Sequence, residues 1–164
     1  MRQLAIATCG AVIFAAASLM IGSRPTFAQT GCIIRHIVIG PPDAGLQVTQ
    51  VVPTGVLWDL QSLATLYYAH AIGTVRTVML RARTGTIAYS FSPNPLQINP
   101  GSTVALTWSA GLPLAVPLAQ DVGVAGWPTP LSFASGDILE TVTANGNVLD
   151  QFMASLLVVR ECPN

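Results

Sequence analysis

Residues 56–83 read VLWDLQSLATLYYAHAIGTVRTVMLRAR, and whether this stretch is strand or helix decides the fold. With a period of two, Val56, Trp58, Leu60, Ala64, Leu66 and Tyr68 share one face. Asp59, Gln61, Thr65 and Tyr67 share the other, with Leu57 and Leu63 as exceptions. A helical period sets Leu57, Leu60, Leu63 and Leu66 near one stripe, so this half alone does not decide. The second half does. Val78, Leu80 and Ala82 alternate with Thr77, Met79, Arg81 and Arg83, the pattern of a strand with one buried face. The stretch is therefore expected to form two long strands, joined near residues 70–74 and paired antiparallel.

The same punctuation continues on both sides. Turn residues at Gly40-Pro41-Pro42-Asp43, Pro53-Thr54-Gly55, Thr84-Gly85, Pro93-Asn94-Pro95, Asn99-Pro100-Gly101, Gly111, Gly126, Pro128 and Gly136 separate short runs rich in Val, Ile, Leu and Thr. Strands are expected at 33–39, 46–52, 86–91, 103–108, 113–119, 138–144 and 151–160, besides the two above. This is an all-β chain of about eight or nine strands, an antiparallel two-sheet β-sandwich. Asn145-Gly146 is the strongest hairpin signal, since a type I′ turn needs positive φ at both central residues. Runs 33–39 and 152–159 are apolar on both faces, as in strands covered from two sides or lying in an interface. With charged residues at 9% and mean hydropathy of +0.57, the surface is expected to meet copies of itself or another protein, or the core to be large.

The first 28 residues divide like an export signal. Arg2 supplies the positive start, an uncharged apolar run follows, and Pro25 precedes Thr26-Phe27-Ala28 with small residues at the cleavage positions. Cleavage is expected after Ala28; the alternative is an uncleaved anchor, since the run is long enough to cross a bilayer. The remaining residues, 29–164, make one domain and carry no lysine, with five arginines against seven acids, a net charge of −2. No basic field is present to attract nucleic acid. Export to the periplasm or beyond makes Cys32 and Cys162 a candidate disulfide pinning the terminal strands, against two buried thiols that never meet. Cys9 leaves with the signal.

Val52-Pro53-Thr54-Gly55-Val56-Leu57-Trp58-Asp59-Leu60, Arg76-Thr77-Val78-Met79-Leu80-Arg81, Thr107-Trp108-Ser109-Ala110-Gly111, Gly136-Asp137-Ile138 and Asp150-Gln151-Phe152 follow one another in that order. Over residues 46–160 this resembles small bacteriophage virion proteins of the β-sandwich, jelly-roll-like kind. In those, a Pro-x-Gly-x-x-Trp strand opens a sheet, an arginine-bearing strand pairs with it, and an Asp-Gln-aromatic strand closes the domain. The resemblance implies a jelly-roll-like sandwich and self-assembly rather than catalysis. The export signal and the terminal cysteines depart from a virion component assembled in the cytoplasm. An exported assembly built from the same sandwich reconciles the two.

Groups that perform chemistry are scarce. His36 and His70 are the only imidazoles and neither sits in a nucleophile setting; no Gly-x-Ser-x-Gly occurs. Asp137 and Glu140 are three apart, so they face opposite sides of a strand, and Asp43 is a turn residue. No His-x-His, Cys-x-x-Cys or Asp-x-Asp-x-Asp spacing marks a metal site, and no cofactor is expected. Arg81 and Arg83 project from one face, either toward an anionic or subunit contact or into solvent. Trp108 is expected in the core. Trp127 is placed in a loop, where it either stacks on a sugar ring or folds back to cap the sandwich. The leading expectation is a non-enzymatic structural or assembly subunit partnering itself or other envelope or particle proteins. The alternative is an exported carbohydrate- or surface-binding module using Trp127.

Overall fold

The computed structural model describes residues 31–112, 116–119, 121–127 and 131–164; the expected export signal lies outside them. Among the described residues there are strands and no helix. In chain order these are β1 (Ile33–Ile39), β2 (Thr49–Val51), β3 (Val56–Tyr68), β4 (Thr77–Thr84), β5 (Ile87–Pro93), β6 (Thr103–Ala110), β7 (Val116–Ala119), β8 (Val122–Trp127), β9 (Leu131–Phe133), β10 (Ile138–Ala144) and β11 (Gln151–Pro163). They form two sheets packed together. One has the order β1-β11-β3-β6-β8-β7, with β9 sharing an edge of β3; the other has the order β2-β10-β4-β5. All pairings are antiparallel except β6 with β8.

The core between them follows from alternation. Trp58, Leu60, Leu63 and Tyr67 of β3, Leu157 and Val159 of β11, and Leu106 and Trp108 of β6 face Val78, Leu80 and Ala82 of β4 and Leu139 of β10, all buried. Trp108 lies in the core as expected, and its Nε1–H donates to Ser92 O at 2.9 Å. The residues of β4 that alternate with this set, Thr77, Met79, Arg81 and Arg83, lie on its outer face.

Several expectations are corrected. The strand reading of residues 56–68 holds, but β3 and β4 do not pair: β3 joins the large sheet and β4 the small one. The connection between them crosses the sandwich. The two faces of β3 also exchange partway. Val159 pairs with Leu60 and Val158 with Ser62, so Gln61 is the extra residue of a β-bulge. Beyond it Leu63, Thr65 and Tyr67 turn inward while Leu66 turns to solvent, which is why Leu63 broke the period-two pattern.

Asn145-Gly146 closes no hairpin, because β10 pairs with β2 and β4 while β11 pairs with β1 and β3. Asn145 does take positive φ (59°), and its side-chain amide donates to Val75 O at 3.2 Å. The chain changes sheets there. Strands β8 and β9 were not anticipated. Gly126 within β8 reads as a turn signal, yet a Cβ there would collide with Leu112 O and come within 2.8 Å of Leu112 Cβ. The glycine is there for close approach of a neighbouring segment.

The run 33–39 is not covered from two sides: β1 is the edge of the large sheet, and most of its residues are exposed. Cys32 and Cys162 form the expected disulfide, joining β1 to β11 across a sequence separation of 130. Replacing both cysteines with alanine is expected to lower unfolding free energy by up to about 5 kcal/mol, because the unfolded chain regains the entropy of a very long loop. Urea titration of the oxidised protein beside the double variant measures this.

Candidate functional site

Three regions carry polar or apolar groups in unusual settings. The first is a buried ion pair at the end of the sandwich where two connections cross between sheets. Arg76 precedes β4 and is 0% exposed; Asp150 precedes β11 and is almost as deeply buried. The guanidinium grips the carboxylate at two points, Nε to Oδ2 at 3.2 Å and Nη2 to Oδ1 at 3.1 Å. Its remaining donors go to backbone oxygens: Nη1 to Thr74 O at 2.7 Å, and Nη2 to His70 O at 3.0 Å and Ile72 O at 2.7 Å. Gly73, at φ 122°, wraps this head group, and a Cβ there would meet Arg76 Nη2 at 3.0 Å. Asp150 in turn accepts from Tyr67 Oη at 2.6 Å, His70 N–H at 2.8 Å and Asn147 N–H at 2.7 Å.

Burial alone raises the Asp150 pKa, but hydrogen bonds from Tyr67, Asn147, His70 and Arg76 outweigh it and hold the carboxyl below its ordinary value. Burial, reinforced by the bond to Asp150, pushes the Tyr67 hydroxyl up. Arg76, Asp150 and Tyr67 are bonded to one another and to the backbone of both connections, so the cluster holds the two crossings together. Beside it lies a cleft of about 190 Å³ whose lining includes Gln47, Tyr67, Thr143, Asn147 and Phe152. Thr141 and Thr143 both donate to Gln47 Oε1, at 3.1 and 3.3 Å.

The second region is the outer face of the small sheet. Arg81 and Arg83 both donate through Nε to Glu140 Oε1, at 2.7 and 2.8 Å. Burial raises the Glu140 pKa, but these bonds from Arg83 and Arg81 outweigh it and leave the carboxyl low. The two arginines are thus matched by an acid on the neighbouring strand. Asp137 is held in the next turn by Tyr89 Oη (3.0 Å), Ala134 N–H (2.8 Å) and the Thr84 hydroxyl. The two carboxylates are each committed to different partners rather than to one cleft. No group of three or more His, Cys, Asp or Glu side chains converges among the described residues.

Trp127 is a correction. It ends β8 rather than occupying a loop, and its ring is only 6% exposed. The face that a sugar would stack on is turned into the protein.

The third region is the outer face of the large sheet. Ile34, His36 and Val38 of β1 lie beside Arg160, Val158 and Leu156 of β11, followed by Ser62, Ala64 and Leu66 of β3 and Ser109, Thr107 and Ala105 of β6. Leu66 and Leu156 flank a shallow groove of about 250 Å³ floored by small residues such as Ala64, Ala105 and Thr107. The charged groups on this face are Arg160 and Asp59, 3.9 Å apart at one end. The sequence marks runs 33–39 and 152–159 of this face as apolar on both sides, but not the part that β3 adds, because the bulge at Gln61 brings Leu66 out where the simple alternation puts it in. Compared with known families and curated proteins, the chain matches no family model and no curated relative.

Arg76→Leu is expected to cost about 3–5 kcal/mol, because it leaves Asp150 buried without its cation. Arg160→Leu, at a half-exposed pair, should change stability by less than about 0.5 kcal/mol; urea unfolding separates the two. Acid titration gives a second check. Asp150, Glu140 and Glu161 all have lowered carboxyl pKa values in the folded protein, Glu161 through Trp58 and Arg35. Their stabilisation is present above the ordinary carboxylate range and lost as pH falls through the lowered folded values. The thermal midpoint should therefore hold level down to about pH 5 and fall below about pH 4. Relative to its own midpoint at neutral pH, Asp150→Asn should fall less steeply.

Proposed function

We propose that this protein is a non-enzymatic structural or assembly subunit, exported from the cell, that associates through the outer face of its large sheet. The observation that carries the reading is that face: four strands wide, apolar or small in side chain, and nearly free of charge. Leu66 and Leu156 stand 47% and 42% exposed on it, and Val38 at the edge stands 74% exposed. Contiguous exposed apolar surface of this kind is costly in water and marks places where proteins meet. Export is supported by the Cys32–Cys162 disulfide, a bond that persists in oxidising compartments. Among the described residues no helix is long and apolar enough to cross a membrane.

The jelly-roll-like kinship belongs to this proposal. It is supported by the way the chain alternates between sheets, from β1 in the large to β2 in the small, β3 in the large and β4 in the small, and again over β9, β10 and β11. Two parts of the motif series, Arg76 and Asp150, meet in the buried ion pair. A carbohydrate-binding role resting on Trp127 finds no support in a buried ring.

Size exclusion coupled to light scattering tests the reading. The purified protein is expected to run as a discrete multimer or polymer, and Leu66→Glu combined with Leu156→Glu to run as smaller species with an unchanged thermal midpoint. A monomer at protein concentrations near about 1 mM, where even weak association shows, overturns the proposal.

A further inference from the structure

The edge of the large sheet specifies a partner and a register. Among the described residues β1 pairs only with β11, through an unbroken register from Ile33↔Glu161 to Ile39↔Ser155. The disulfided residues Cys32 and Cys162 are the next pair along, with Cα atoms 4.2 Å apart. That spacing belongs to a non-hydrogen-bonded antiparallel pair, since hydrogen-bonded pairs sit about 5.5 Å apart. Counting in twos, Ile34, His36 and Val38 are also non-hydrogen-bonded toward β11. Their N–H and C=O groups therefore point to the open edge. Ile33, Arg35, Ile37 and Ile39 spend theirs on β11.

Natural edge strands are commonly blunted by lysine, proline, a bulge or a covering loop. β1 has no lysine, no proline and no register shift, and the disulfide anchors its start. Its side chains are apolar except Arg35 and His36, and Arg35 is tied to Glu161 of its own sheet at 2.8 Å.

We infer that the open edge of β1 is an isologous interface, on which a second copy of this chain pairs its own β1 antiparallel with His36 facing His36 across a two-fold axis. The inference rests on the assembly reading and names the contact that would extend it. In this register the outward backbone groups of Ile34, His36 and Val38 are all satisfied by the same groups of the copy. Ile34 lies opposite Val38, and Ile33 opposite Ile39, so apolar side chains meet on both faces of the new pair. Arg35 lies opposite Ile37. Sliding the copies so that residue 35 faces residue 35 would set two arginines against each other, a repulsive pairing. The axis runs perpendicular to the sheet, so both apolar outer faces stay on the same side and become one surface.

Amide hydrogen exchange at low and high protein concentration tests this directly. Ile33, Arg35, Ile37 and Ile39 should be protected at both concentrations, while Ile34, His36 and Val38 should gain at least about tenfold protection at the higher one as the edge is covered. His36→Pro removes an N–H that the β11 ladder does not use and should weaken association at least about tenfold with the thermal midpoint retained. Val38→Lys should do the same and decides the matter if His36→Pro fails to fold. If both variants associate like the parent and the alternating amides stay fast, while Leu66→Glu with Leu156→Glu dissociates the protein, the edge inference falls and the assembly reading stands. A parent that is monomeric at all concentrations overturns both.

Discussion

The buried pairing of Arg76 with Asp150 is the constraint on which the rest of this structure depends. A guanidinium with no exposure and a carboxylate with almost none cannot be left apart in a protein interior. Their meeting requires that the connection from β3 to β4 and the connection from β10 to β11 arrive together at one end of the sandwich. The backbone oxygens of His70, Ile72 and Thr74 complete the guanidinium, and the N–H groups of His70 and Asn147 complete the carboxylate. Such a pair contributes little net stability compared with a well-packed apolar substitute, yet breaking it is costly. Its effect here is geometric: it ties together the two connections by which the chain passes from one sheet to the other.

With that end closed, the opposite concern is the termini. The disulfide joins β1 to the last strand, so the edge of the large sheet is covalently held rather than frayed. Most small charged residues are then spent inside the subunit. Glu140 takes both Arg81 and Arg83, and Glu161 takes Arg35 and the Trp58 indole. What remains for the outer face of the large sheet is apolar and small. A chain with 9% charged residues that uses them on internal pairing leaves a broad surface with little charge on it.

Legibility differed by scale. Strand identity over residues 56–83 was readable, because alternation in Val78–Leu80–Ala82 has no helical counterpart. The partners of those strands were not. A connecting segment of a few residues looks the same whether it turns back to make a hairpin or crosses to the other sheet, and here it crosses. Asn145-Gly146 was misleading for the same reason: Asn145 takes the left-handed conformation the dipeptide favours, but the chain uses it to change layers. The Gln61 bulge was visible only as a defect at Leu63. Gly126 of β8 looked like a turn because sequence cannot distinguish a glycine needed for its φ from one needed for its missing side chain.

The sequence by itself determined the all-β class, the burial of Trp108, the outward row of Arg81 and Arg83, and the two cysteines available to bridge terminal strands. These are local or compositional properties, written in period and residue type. Only the tertiary structure decided the pairing order, the ion pair between residues 74 positions apart, the burial of Trp127 and the apolar face that Leu66 helps to make. Each depends on which segments are brought together, and an energy shared between distant residues leaves no mark on either one alone.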